Sequence, residues 1–469
     1  MFEGQQQVSK ASEATWRVDE DGRLHRKRVK SFPNGNEYNC EFVGDKPDGF
    51  GTLKTSQGMN YEGNFLNGLF HGHAKVVWID EFHQVAKTFI GEFKRGKRSG
   101  HGVLSDEHET WDGNFAHDQF HGQGTLWKKT TGERFKGQWV NGKLHCDDGL
   151  IAFQNGDKYE GPVHLGKING DVGHYTFKDG GFYTGQHKFG IKHGIGTRKF
   201  VDGTTFRGDI RNGKLCGHGI MTYGNSLDHK KRYEGEWEDG LFDGNGELYF
   251  QESSPIEFYK GDFKQGKYYR YGRLQYRDGS FYEGRYHEGY REGRGKRLWR
   301  QGNWFEGEWQ KDMMLNGRYF DASANSTYVG AFERNKKHGV GMESWRSQNN
   351  REFRDPCFGW QHAADELVTY KGSYFNGYFD GNGRFEAPNG RHYDGGWRLG
   401  KPHGLGTMQL LRRSEFGNVF KMHIGKHGSL YRPEKYSGEW KDGKRHGQGT
   451  LFFLDGSSKQ MSYIDGNQT

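Results

Sequence analysis

The sequence predicts an all-β protein, an elongated, twisted, single-layer antiparallel sheet built from about sixteen tandem β-hairpin repeats. Three observations predict it. A short motif, aromatic-x-Gly-x-aromatic, returns along nearly the whole chain. Within and after the motif, residue character alternates with period two, which is the spacing of a strand and not of a helix. The 469 residues also combine 76 glycines and 16% aromatics with an apolar class of only 32%.

That composition excludes several alternatives. A conventional globule of this length needs more Leu, Ile and Val to fill a deep core. Glycine-rich disorder lacks aromatic residues. Collagen requires glycine at every third position and abundant proline, whereas this chain has 8 prolines. A thin fold in which rings pack on backbone remains.

The repeat elements follow in order. The first strand carries Tyr61-Glu62-Gly63-Asn64-Phe65, Tyr159-Glu160-Gly161, Tyr233-Glu234-Gly235-Glu236-Trp237, Tyr282-Glu283-Gly284-Arg285-Tyr286, Phe305-Glu306-Gly307-Glu308-Trp309 or Tyr436-Ser437-Gly438-Glu439-Trp440. A turn glycine comes about three residues later, and a Gly-x-Gly pair follows, as in Gly240 with Gly244 and Gly246. Asp-Gly or Asn-Gly often closes the unit, as at Asp202-Gly203 and Asn389-Gly390. The leading aromatic falls at 38, 61, 89, 111, 135, 159, 183, 206, 233, 259, 282, 305, 328, 370, 393 and 436, most often 23 residues apart. Glycine inside a strand normally weakens it. Here it is expected to let a neighbouring ring lie on bare backbone. With strands about 4.8 Å apart, each repeat adds roughly 10 Å and the array spans on the order of 150 Å.

The pattern Y/F-x-G-x-W/F-x-x-G-x-x-x-G-x-G, running from about 38 to 466, resembles the MORN (membrane occupation and recognition nexus) repeat. The resemblance implies elongated, twisted antiparallel sheets, used in ciliary radial-spoke heads, junctophilins and cell-cortex scaffolds. Relatives with catalytic domains beyond their repeats carry over no enzyme function, because the repeats here run close to Thr469.

The expected organisation is a tail over 1–26, a repeat array over 27–344, an insertion over 345–369, repeats over 370–409, a second insertion over 410–435, and a terminal repeat over 436–469. Steps of 42 and 43 residues, from Tyr328 to Tyr370 and from Tyr393 to Tyr436, contain the insertions. Their Phe353, Arg354, Phe358, Trp360, Arg412, Arg413, Phe416, Phe420 and Tyr431 form candidate anchors for a protein partner, since exposed rings beside arginines dominate interface energetics. The alternative is that these loops fold back over the sheet. Repeats stretched or stripped of glycines near 142–173 and 309–320 suggest bulges that kink the array.

Single-residue chemistry points away from catalysis, cofactors and metals. His71, His121, His193, His338, His403 and His446 each precede a repeat glycine. Equivalent positions in neighbouring hairpins lie about 10 Å apart, too far to share a zinc ion, whose ligands sit roughly 2.0–2.1 Å away. Nucleophile-elbow, phosphate-loop and Cys-x-x-Cys motifs are absent. Cys40, Cys146, Cys216 and Cys357 are far apart, as expected of free thiols in a reducing compartment. No apolar run approaches the roughly 18 residues of a membrane-crossing helix.

The net charge is +8, from 68 basic against 60 acidic residues. Arg26, Lys27, Arg28, Lys94, Arg95, Lys97, Arg98, Lys230, Lys231 and Arg232 form basic clusters, read mostly as turns, that could meet an anionic surface. The expected function is a non-catalytic scaffold bridging cytoskeletal or axonemal proteins in a cilium or flagellum. The alternative is a peripheral tether on the cytoplasmic face of a membrane. Nucleic acid is disfavoured because the rings are needed on glycine. Terminal strands leave room for homo-oligomers.

Overall fold

The computed structural model describes residues 16–18, 20–224, 231–346, 366–388, 390–410, 433–453 and 455–469, with 353–354, 358 and 361–362 in between. Every regular element is a strand, and no described residue is helical. The chain forms two compact units, Met1–Ser226 and Leu227–Thr469. In the first, successive antiparallel strands run from Trp16–Val18 to Lys214–Thr222. In the second they run from Arg232–Glu238 to Asn467–Gln468. Among the described residues, strand pairing begins at Trp16, before the expected start of the array at 27.

The hairpin 232–249 shows how the residues dictate the repeat. Strand Arg232–Glu238 turns through Asp239-Gly240, with φ of 51° and 87°, into strand Leu241–Tyr249. Two left-handed central residues give the turn whose twist matches a hairpin. Tyr233, Gly235 and Trp237 are buried on one face, and across from them lie Leu248, Gly246 and Phe242.

The two glycines of the Gly-x-Gly pair serve different purposes. A Cβ on Gly246 would fall 2.4 Å from the Tyr233 Oη and 2.7 Å from its ring, so this residue is bare because the ring occupies the space. Gly244 has a φ of 95° and sits in a bulge. Between the Gly235–Gly246 and Trp237–Phe242 pairs, two steps along the first strand oppose four along the second. Cross-strand pairing skips Glu236, and its carbonyl accepts the Tyr233 hydroxyl at 2.8 Å. Ten leading tyrosines, at 61, 159, 183, 233, 259, 282, 328, 370, 393 and 436, donate to the carbonyl three residues ahead, at 2.5 to 3.1 Å.

The rings interlock into a ladder. Tyr233 meets Trp237 edge-on at 5.1 Å, and Phe263 of the following repeat at 5.3 Å, while Phe242 stacks on it at 3.7 Å. Tyr370 repeats the arrangement with Tyr374, Trp397 and Phe379. Such pairs add about 0.5–1.5 kcal/mol each beyond the area they bury. The sheet's core is therefore a single layer of rings laid over glycine.

The bulges require a correction. They are not confined to 142–173 and 309–320, because the first glycine of each Gly-x-Gly pair is itself the bulged residue. The second strand of a regular hairpin exceeds the first by two residues. In 134–152 and 158–176 the excess is three, as Trp139–Leu144 and Val163–Ile168 pair before Lys136–Leu150 and Glu160–His174. In 304–320 it is one. There Lys311 and Asp312, with φ of 45° and 68°, make the turn without glycine.

Both long insertions leave the ladder intact. Lys336–Trp345 pairs directly with Val368–Phe375, and Lys401–Gln409 with Pro433–Lys441. Within the first insertion, Phe353–Arg354 and Gln361–His362 form their own two-stranded pair.

Candidate functional site

The ring face is largely closed. In five repeats the second residue past the turn is a ring stacked on the leading aromatic: Phe70 on Tyr61, Phe120 on Trp111, Phe242 on Tyr233, Tyr268 on Tyr259 and Phe379 on Tyr370, at 3.7 to 4.1 Å. In five others that position is a cation over the ring: Arg98 over Phe89, Lys192 over Tyr183, Arg291 over Tyr282, Lys337 over Tyr328 and Arg445 over Tyr436, at 4.8 to 5.8 Å. The sequence reading missed this exchange. Its signal was available, since an aromatic or a basic residue follows the turn at a fixed offset. A cation over a ring contributes about 0.5–1 kcal/mol at exposed sites and more when desolvated.

This placement divides the basic clusters. Arg98 lies 5.1 Å from the Phe115 ring centroid and pairs with Asp118 at 3.2 Å. Arg28 lies 4.6 Å over Phe42 and donates to the Gly44 carbonyl at 2.8 Å. Lys94, Arg95 and Lys97 are exposed around a turn, and Arg26 and Lys27 are exposed along a strand. The first cluster is thus on the strand Leu24–Ser31, not in a turn, and Arg232 likewise begins a strand and pairs with Glu234. Lys231 is half-buried. Lys230 lies outside the described residues.

Of the candidate loop anchors, Phe358 is placed against the sheet, with its ring 5.2 Å from Phe385, 5.9 Å from Trp397 and 6.1 Å from Tyr393. Phe353 and Arg354 belong to the short strand pair in the insertion. Trp360, Arg412, Arg413, Phe416, Phe420 and Tyr431 lie outside the described residues.

Two of the repeat histidines, His338 and His446, brace turns. His338 Nε2 is 3.2 Å from Glu333, and His446 Nδ1 is 3.3 Å from Asp465. No three His, Cys, Asp or Glu side chains among the described residues are grouped to hold a metal ion. His187 differs from them all, because it takes the second-aromatic place in the ladder. It lies 5.3 Å from Tyr159 and 5.2 Å from Tyr183, edge-on to both. Its Nδ1 donates to the Gly185 carbonyl at 3.2 Å, and its buried Nε2 has no hydrogen-bond partner. Burial holds this imidazole down at about 4.

The opposite face is open. It exposes Phe50, Ile90, Ile195, Val340 and Leu405 among polar and charged neighbours. These apolar side chains stand on the side turned away from the ring layer, in or beside the Gly-x-Gly strands.

The family model for the MORN repeat matches fourteen segments of this chain: residues 41–59, 61–81, 89–106, 111–130, 135–145, 183–205, 206–227, 233–253, 259–281, 282–304, 328–349, 370–390, 393–410 and 436–458, more than half of its length. The repeats it passes over begin at Tyr159 and Phe305, and both are hairpins with bulges of unusual length. Alsin from Homo sapiens and from Rattus norvegicus are each 32% identical over 111 residues, which are 23% of this chain and 7% of the relative. The chain thus spans only a small part of those proteins. Among solved structures, the SAS-4 TCP domain in complex with a proline-rich motif of Ana2 from Drosophila melanogaster shares 10% identity, covering 48% of this chain and 94% of that one, at a TM-score of 0.17. That score is too low to carry an argument.

Proposed function

The chain belongs to the MORN-repeat family, and from that premise we propose that it is a non-catalytic scaffold bridging protein partners in the cytoskeleton of a cilium or flagellum. One observation carries the reading: the repeats commit their rings and glycines to a ladder of packing, and in each unit leave a face of exposed apolar and charged side chains for contact. The loop residues Phe353, Arg354, Trp360, Arg412, Arg413, Phe416, Phe420 and Tyr431 are proposed as further anchors, with Phe358 holding the first insertion to the sheet. Sedimentation with detergent-extracted cytoskeletons tests the proposal. Retention in the pellet is expected, and complete release into the soluble fraction would overturn it.

A second reading rests on the exposed Arg26, Lys27, Lys94, Arg95 and Lys97. These could hold an anionic membrane surface, each contributing about 1 kcal/mol. Binding to phosphoinositide vesicles that weakens with salt supports it. Equal binding to neutral vesicles rejects it.

A further inference from the structure

The ring layer opens a recess beside Met314, in the repeat led by Phe305. In ten repeats the second residue past the turn stacks on the leading aromatic or covers it with a cation; in the repeat of Phe305, as in several others, it does neither. Among the described residues neither a stacked ring nor a cation is found over Phe305, whose ring partners, Trp309 and Phe332, both meet it edge-on. Its hairpin has the short bulge, and Met314 stands in the place that stacking rings occupy elsewhere. A recess of about 370 Å³ opens there, walled by Trp299, Met314, Tyr319 and Phe332, with Lys336 and Lys337 also lining it.

Its chemistry is one-sided. No acidic residue lines it. Lys337 is held by Glu343 and lies over Tyr328, whereas Lys336 is exposed. The Tyr319 hydroxyl accepts from Asn303 Nδ2 at 2.9 Å, which leaves its own proton to donate. Apolar walls beside an ammonium and a phenol hydroxyl suit a bulky hydrocarbon side chain with a carboxylate next to it. A phosphate group would call for a fork of arginines, and none lines the recess.

We propose that this recess docks a peptide segment of a partner protein, taking one bulky apolar side chain (Leu, Met or Phe) adjacent to an Asp or Glu that meets Lys336 and Tyr319. The proposal rests on the scaffold reading and gives it a specific contact.

The test uses the full chain on an array of dodecapeptides that vary two central positions in a Gly-Ser background. Leu, Met, Phe or Ala occupies the first position, and Glu, Gln or Lys the second. Apolar–Glu peptides are expected to bind at least tenfold more strongly than apolar–Lys or Ala–Glu peptides. Lys336→Glu, at an exposed position, should remove that preference without changing the melting temperature. Met314→Phe should fill the recess and weaken binding about tenfold. Should Met314→Phe misfold, the exposed Lys336→Glu variant still decides. No preference for apolar–Glu pairs, or a preference that survives Lys336→Glu, overturns the assignment. Proximity labelling in cells separates the two readings. A Lys336→Glu chain with the same neighbours as wild type removes the recess but keeps the scaffold, whereas a wild-type chain without protein neighbours removes the scaffold.

Discussion

At the scale of single residues, a buried ring and a missing side chain form one unit. The Tyr233 ring fills the volume that a Cβ on Gly246 would need. Gly246→Ala is therefore expected to cost about 1–3 kcal/mol through overpacking, read as a fall in the urea midpoint. The phenol hydroxyl is a separate contribution. Tyr233→Phe keeps the ring and loses only the bond to the Glu236 carbonyl, so about 1 kcal/mol is expected. Phe89, Phe206 and Phe305 lead their own repeats fully buried without a hydroxyl. A cost for Tyr233→Phe as large as that for Gly246→Ala would mean that the hydrogen bond, not the ring, organises the repeat. The alternation of Tyr, Gly and Trp with acids made the buried face legible in the sequence. The difference between the two glycines of each pair was not, because a positive φ and a filled volume look the same in a string of letters.

At the scale of the hairpin, the second strand's surplus sets the geometry. Strand order and register could be read from the 23-residue step and the period-two alternation. The surplus could not, since it depends on which residues the pairing skips. For the same reason the hairpins at Tyr159 and Phe305 escape the family pattern while keeping its fold. The cations over rings were also hidden, because Lys97-Arg98 read as surface charge although Arg98 lies on the ring layer. His187 is the hairpin-scale weak point. Its folded value of about 4 lies below the ordinary imidazole value of about 6.5, so protonation favours the unfolded chain. Its contribution is fully present above about pH 6.5 and is lost as the pH falls toward 4, by at most about 3 kcal/mol. Lys192, opposite it in register, adds repulsion once the imidazole is charged. His187→Phe is expected to flatten this part of the stability–pH curve, as measured by denaturant unfolding between pH 4 and 7. An unchanged curve would place the acid sensitivity elsewhere.

At the scale of the whole molecule, each hairpin pairs only with its sequence neighbours, so stability should be close to additive along each unit. Excision of Tyr259–Phe281, one full period, is expected to leave a folded chain, because Tyr282 then takes the place of Tyr259. Far-ultraviolet circular dichroism and the unfolding midpoint check this, and collapse to an unfolded chain would contradict it. The repeat class and its extent were legible from the sequence alone. The insertions were legible as interruptions, but not in what they contact: Phe358 turns back onto Phe385 and Trp397, a contact no spacing rule encodes.

The most direct measurement is hydrogen exchange, followed by mass spectrometry, on the full chain carrying Gly246→Val. A branched side chain in the space of the Tyr233 ring should strip protection from the hairpins over 233–281 and leave 393–451 protected as in wild type. Protection lost evenly throughout Leu227–Thr469, or not lost at all, would contradict a sheet held together locally by rings on bare backbone.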